Sequence, residues 1–231
     1  MTEKKPNTGR RRLFIMILSV TLMAATVGIA LAYIVSAQRA PALSALLLLP
    51  EPRPIGAFEL VDGAGQPFSP ERLRGRWSLV FFGFTHCPDV CPSALYDLDL
   101  ASRRLAEAHA DTGADTGAET GAEAGSAHQV VFVSVDPERD SPERIEQYVT
   151  YFNPAFIGVS GAHEQLAALT AQLGIAYRVE EHPAGSEHYE VVHSASVVLI
   201  DPRGRLRGAF PPPLDAPAIA RDLALLMDRE G

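Results

Sequence analysis

The two cysteines of this chain, Cys87 and Cys91, are its only thiols and stand four positions apart in Phe84-Thr85-His86-Cys87-Pro88-Asp89-Val90-Cys91-Pro92. A strand-like run, Ser78 to Gly83, precedes them, and a helix-like run begins near Pro92. A thiol pair at a strand-to-helix turn is held close by the backbone. The unpaired N–H groups and positive dipole end of the helix favour thiolate over thiol. Thiolates exchange disulfides and bind soft metals, so these are the two chemistries to weigh. A purely structural disulfide is the poorer reading. The loop it would close is short and worth roughly 2 kcal/mol, against ~4.7 kcal/mol for a loop of about a hundred residues. A chain of 231 residues also buries enough core without a staple.

The elements that carry the thiols must be placed in a compartment. Lys4, Lys5, Arg10, Arg11 and Arg12 form a basic cluster, followed by 23 uncharged positions from Leu13 to Val35. As a helix that stretch is ~34 Å long, enough to cross a hydrocarbon core of roughly 30 Å. The basic flank holds its own end in the cytoplasm. A cleaved signal peptide ending near Val35-Ser36-Ala37 competes, but the apolar run exceeds the usual signal core. The expectation is a bacterial inner-membrane protein: a cytoplasmic N-terminus (1–12), a single transmembrane anchor (13–35), a linker rich in Ala and Pro (36–54) and a periplasmic domain (55–231). Either reading puts the thiols outside the cytoplasm, where dithiols tend to oxidise. The net charge of −8, with no Lys/Arg cluster after residue 12, argues against nucleic-acid binding.

Within the domain, Ala57 to Val61 alternates like a strand and Asp62-Gly63-Ala64-Gly65 suits a hairpin turn. Ser78 to Phe84 is apolar at nearly every position, as in a strand buried on both faces. Leu95, Leu98, Leu105 and Ala108 recur at helical spacing. The acidic Gly-Ala repeat at 111–127 has no apolar side chain larger than Ala and is expected to be a disordered insertion. Val130 to Val135 is a second buried strand. Ser141-Pro142-Glu143 opens a helix to about Phe152, and a strand (156–159) and a helix (162–173) stopped by Gly174 follow. A hairpin-like section spans Ala176 to Val192. Ser196 to Ile200 and Arg205 to Phe210 pair across a turn, and a last helix covers about Ala216 to Met227. The order β-α-β-α-β-α-β-β-α after an N-terminal β-hairpin predicts one α/β domain with a mixed sheet. Thiols between the first core strand and the first core helix are arranged as in the thioredoxin fold.

Three segments together, Phe82 to Pro92, Ser134-Val135-Asp136-Pro137-Glu138-Arg139-Asp140-Ser141-Pro142, and Val192-His193-Ser194-Ala195 with Leu199 to Gly204, resemble the Sco/SenC family. The resemblance covers about Pro50 to Met227. It implies a thioredoxin-like copper protein that helps to assemble the dinuclear copper centre of cytochrome c oxidase subunit II, with Cys87, Cys91 and His193 as metal ligands. Two thiolates and one imidazole suit Cu(I), with Cu(II) also within reach, whereas Zn(II) prefers a fourth ligand. Subunit II and a periplasmic copper donor or thiol reductant are the implied partners.

His86, His182 and His188 are further imidazoles to place, each with a bland alternative in loop packing or exposure. Asp136 and Asp89 could tune the site or merely shape turns. Family members commonly carry an acid before the ligand histidine, where this chain has Val192, so one carboxylate neighbour is missing. The competing function is a thiol–disulfide oxidoreductase, with Cys87 attacking and Cys91 resolving, that keeps client cysteines reduced. Three residues between the cysteines, and a histidine where such reductases approach with proline, favour a metallochaperone over an enzyme.

Overall fold

The computed structural model describes residues 8–37, 42–112, 127–183, 186 and 188–230. They fall into two units, Met1–Ala42 and Leu43–Gly231. In the first, α1 (Thr8–Ala37) is a 30-residue helix that covers the uncharged stretch. Its described large side chains, Ile15 through Ile29, are exposed. Among the described residues no helix is long and apolar enough to cross a membrane.

The second unit is built on an eight-stranded sheet ordered β1-β10-β9-β4-β5-β6-β2-β3. At its centre β4 (Trp77–Gly83) runs parallel to β5 (His128–Ser134), which runs parallel to β6 (Ile157–Ser160). On the other side β4 is antiparallel to β9 (Val197–Ile200), and β9 to β10 (Arg205–Phe210). Successive residues of β4 point to opposite faces, and both faces are covered. Leu79 and Phe81 join the cluster with α2 (Val90–Thr112), α3 (Pro142–Phe152) and α5 (Ala216–Glu230). Val80 and Phe82 join the cluster with Leu166, Leu169 and Leu173 of α4 (His163–Leu173). That double burial is why β4 carries an unbroken apolar run.

The local signals mark the expected boundaries. Ser141 accepts the Arg144 N–H at 3.3 Å and caps α3, and Gly174 ends α4 at φ 71°. The hairpin at the sheet edge is β2 (Leu60–Asp62) with β3 (Pro67–Phe68); its first strand starts at Leu60 rather than Ala57. The short β7 (Tyr177–Val179) and β8 (Val191–His193) pair antiparallel outside the main sheet.

The linker expectation for 36–54 needs correction. Leu47–Pro54 is strand β1, the edge strand paired along β10, and the folded unit begins at Leu43. The physical reason sits on α5. The fully buried Asp222 carboxylate accepts the backbone N–H groups of Ser44, Ala45 and Leu46 at 2.7, 2.8 and 3.0 Å. Burial alone would raise its pKa, but those donors together hold it below the usual carboxylate value. The acidic repeat expected at 111–127 lies, but for its ends, outside the described residues.

Candidate metal centre

Cys91 sits in the first turn of α2 and is 0% exposed, whereas Cys87, in the loop before it, is half-buried. Both are free thiols. The Cys91 N–H donates to the Cys87 sulfur at 3.4 Å, so the helix N-terminus does turn an orphan donor onto a thiol. That donor reaches Cys87, and for Cys91 a backbone hydrogen bond involving Phe84 offsets only part of the cost of burial. Burial pushes the Cys91 thiol well above its ordinary range, and the neighbouring Cys87 and Asp140 add to that. The expectation that both sulfurs are biased to thiolate is therefore corrected for Cys91: desolvation outweighs the dipole.

Room for the Cys91 sulfur comes from Gly83 at the end of β4. A Cβ there would lie 2.7 Å from Sγ of Cys91 and 2.8 Å from Cε2 of Phe132. The glycine is a requirement of close approach between strand and sulfur.

The third donor arrives from far along the chain. His193 is the last residue of β8 and sets its Nε2 3.4 Å from the Cys91 sulfur. Its ring stands edge-on to Phe81 and Phe84, with centroids 6.0 and 5.9 Å away. Its Nδ1 lies 3.1 Å from the Ser194 carbonyl oxygen. A carbonyl only accepts, so Nδ1 carries the proton and Nε2 keeps its lone pair turned towards the sulfur. Burial lowers the imidazole pKa, which keeps the ring neutral and ligand-ready. The carbonyl thus orients the ring, a task that a carboxylate often performs. Val192, where an acid was noted to be missing, is 54% exposed.

One ligand atom each from Cys87, Cys91 and His193 all lie within 4.8 Å of one another, the one such group among the described residues. With bonds of roughly 2.0–2.3 Å, three ligands around a trigonal ion stand ~3.5–4 Å apart. The donor set therefore closes on a soft ion with small side-chain adjustments. Two sulfurs and a neutral imidazole, partly shielded from water, match Cu(I) better than a hard cation.

The remaining candidates are placed elsewhere. His86 points its Nδ1 towards Asp140 at 3.5 Å and accepts from Arg144 at 3.0 Å through Nε2, so it shapes the loop. His182 stacks flat on Tyr189 at 3.6 Å. The exposed His188 has its backbone N–H on Ser186. Asp89 contributes its carbonyl to the Ser93 N–H. Asp136 serves the site indirectly: its carboxylate accepts from the Tyr189 hydroxyl and from Arg139 Nε, both at 2.5 Å. Arg139 in turn donates to the Tyr189 carbonyl and lies 3.6 Å over the Tyr189 ring. This pins the segment that delivers His193 to the end of β5.

Sequence reasoning missed Arg139, Tyr189 and above all Asp140. The buried Asp140 accepts from the Thr85 N–H at 2.8 Å, the Thr85 hydroxyl at 2.5 Å and the Ser134 hydroxyl at 2.5 Å. It ties the thiol loop to β5. An aspartate four positions past Asp136 carries no signal of that partner, which lies 55 positions away.

The family model described as SCO1/SenC matches residues 49–228. The chain belongs to the SCO1/SenC family. A Stutzerimonas stutzeri protein named for copper binding is 37% identical over 185 residues, covering 80% of this chain and 82% of that protein. Copper-bound ScoI of Arabidopsis thaliana superposes with TM-score 0.62 at 28% identity, covering 75% of this chain and 98% of that one. Copper-bound yeast Sco1 gives 0.66 at 26% identity, covering 78% and 91%. These Sco structures bear out the thioredoxin-like α/β fold.

Proposed function

We propose that this chain is a membrane-anchored copper metallochaperone that holds Cu(I) through Cys87, Cys91 and His193 and releases it to the dinuclear copper centre of cytochrome c oxidase subunit II. The observation that carries the reading is the approach of Nε2 of His193 to the Cys91 sulfur across 102 positions of sequence. A dithiol reductase has no need of a neutral imidazole lone pair there. The copper named in the Sco relatives supports the choice of ion.

Residues 13–35 are proposed as the anchor, with residues 43–231 in the periplasm. The support is their uncharged composition, the basic cluster before them and the helix they form. An anchor would confine the donor to the plane of an oxidase and raise the effective concentration of encounter. Cys87 and His193 are half-buried where Cys91 is fully buried, and Val90 and Val192 are exposed, at 45% and 54%. An acceptor sulfur can enter on that side and replace the ligands one at a time.

A second reading has support: a half-buried Cys87 receiving a helix N–H, with a fully buried Cys91 behind it, is the arrangement of an attacking and a resolving thiol. Copper titration of the reduced full chain separates the two. About one Cu(I) per chain is expected, and His193→Ala should weaken binding by more than the ~10–100-fold typical of outer partners. Unchanged copper affinity in His193→Ala, with disulfide reduction abolished by Cys91→Ala, would establish the reductase instead. In cells, a deletion strain should lose oxidase activity and regain it with added copper.

A further inference from the structure

A second cluster of metal-ligating side chains lies outside the thiol centre and shares no residue with it. Glu138, in the turn after β5, stands between two imidazoles. Its Oε1 is 3.6 Å from Nε2 of His163, the first residue of α4. Its Oε2 is 3.8 Å from Nε2 of His182, in the loop after β7. Both separations exceed a hydrogen bond. They match the roughly 3.3–3.8 Å between neighbouring ligands of one ion, for bonds of about 2.0–2.2 Å at tetrahedral to trigonal angles.

His182 supplies the observation that points to a cation. Its side chain is only 10% exposed, and its ring lies flat on Tyr189 with centroids 3.6 Å apart. Its Nδ1 is 3.2 Å from the Pro183 carbonyl oxygen. A carbonyl only accepts, so Nδ1 carries the proton. The neutral ring then turns the Nε2 lone pair to a carboxylate oxygen, and two acceptors face each other across 3.8 Å. A cation between them removes that conflict. His163 and Glu138 are half exposed, at 49% and 50%, and have room to swing in. They must do so, because as they stand the three do not offer one atom each with all within 4.8 Å.

We infer that Glu138, His163 and His182 form a second metal site, for a divalent ion of borderline hardness, with Cu(II) favoured over Zn(II). Two imidazoles and one carboxylate are donors that both ions take, and Cu(II) stands ahead of Zn(II) in intrinsic affinity. Solvent completes the coordination. The ion ties the turn after β5, the start of α4 and the loop leading to β8 to one point. Through the stacked ring it also braces Tyr189, in the segment that delivers His193.

The test is Cu(II) titration of the full chain carrying Cys87→Ser and Cys91→Ser, which removes the thiols that would reduce or capture the ion. About one Cu(II) per chain is expected, with an electron paramagnetic resonance signal split by two imidazole nitrogens. In this background His163→Ala and Glu138→Gln, both at half-exposed side chains, should each weaken Cu(II) binding by more than ~10-fold. His163→Ala should also leave a single imidazole nitrogen in the signal. His188→Ala, at an exposed imidazole of the same loop, should change neither readout. If the thiol-free chain does not fold, the reduced wild type gives the count: it should take up about one more Zn(II) per chain than its Glu138→Gln variant. A plain ion pair between Glu138 and protonated imidazoles would leave Cu(II) affinity the same in His163→Ala and Glu138→Gln, and that result overturns the site. Loss of binding in His188→Ala alone overturns it too. The thiol-free background keeps these outcomes independent of the copper reading of Cys87, Cys91 and His193.

Discussion

Gly83→Ala tests how closely the fold is fitted around the Cys91 sulfur. The added methyl would meet Sγ of Cys91 at 2.7 Å, Cε2 of Phe132 at 2.8 Å and Cζ of Phe132 at 3.3 Å. Ordinary contact begins at 3.4 Å, so the sulfur and the ring must each give way by more than half an ångström. Neither has open space, because both residues are 0% exposed. Overpacking of this kind costs about 1–3 kcal/mol. Gly83 is not among the glycines with positive φ, so alanine meets no backbone strain and recovers about 0.4–1 kcal/mol of unfolded-state entropy. The steric term wins, leaving up to about 2.6 kcal/mol of destabilisation. At roughly 2–4 °C per kcal/mol for a domain of this size, the melting temperature should fall by up to ~10 °C. Because the displaced sulfur is also the one facing His193, Cu(I) affinity should fall in parallel. Calorimetry and Cu(I) competition with a coloured chelator read the two effects. A Gly83→Ala protein at least as stable as the wild type, with the same copper affinity, would refute the close-fit reasoning.

Other outcomes follow from the same geometry. Asp140→Ala should cost about 2–4 kcal/mol, since it strands the Thr85 N–H and the Ser134 hydroxyl in a buried site. Urea melts check it, and a loss under 0.5 kcal/mol would show that water takes over the role. The metal-free reduced protein should be most stable between about pH 6.5 and 9. Burial raises the Cys91 thiol above its ordinary 9.0, so that contribution is complete below pH 9 and drains away as pH climbs towards the folded value. Burial lowers the His193 imidazole below its ordinary 6.5, so its contribution is present above that pH and is lost as pH falls towards the folded value. Urea midpoints across pH should show both flanks. His193→Ala should abolish the loss just below pH 6.5, and an unchanged acid flank would deny the histidine that role.

What the sequence determined is what depends on neighbours along the chain. Unbroken apolar runs marked the two-faced strands β4 and β5, Ser141-Pro142 marked the start of α3, and Gly174 its neighbour's end. The thiol pair announced itself because its spacing is local. The ligand role of His193 was legible only through resemblance, since no periodicity links it to residues a hundred positions earlier. Tertiary structure decided the rest. It made Leu47–Pro54 an edge strand, because a buried carboxylate on α5 collects the N–H groups just before it. It also decided which sulfur is buried, which imidazole nitrogen keeps its lone pair and which aspartate holds the thiol loop. Desolvation and long-range hydrogen bonds set those properties, and both exist only once distant segments have packed together.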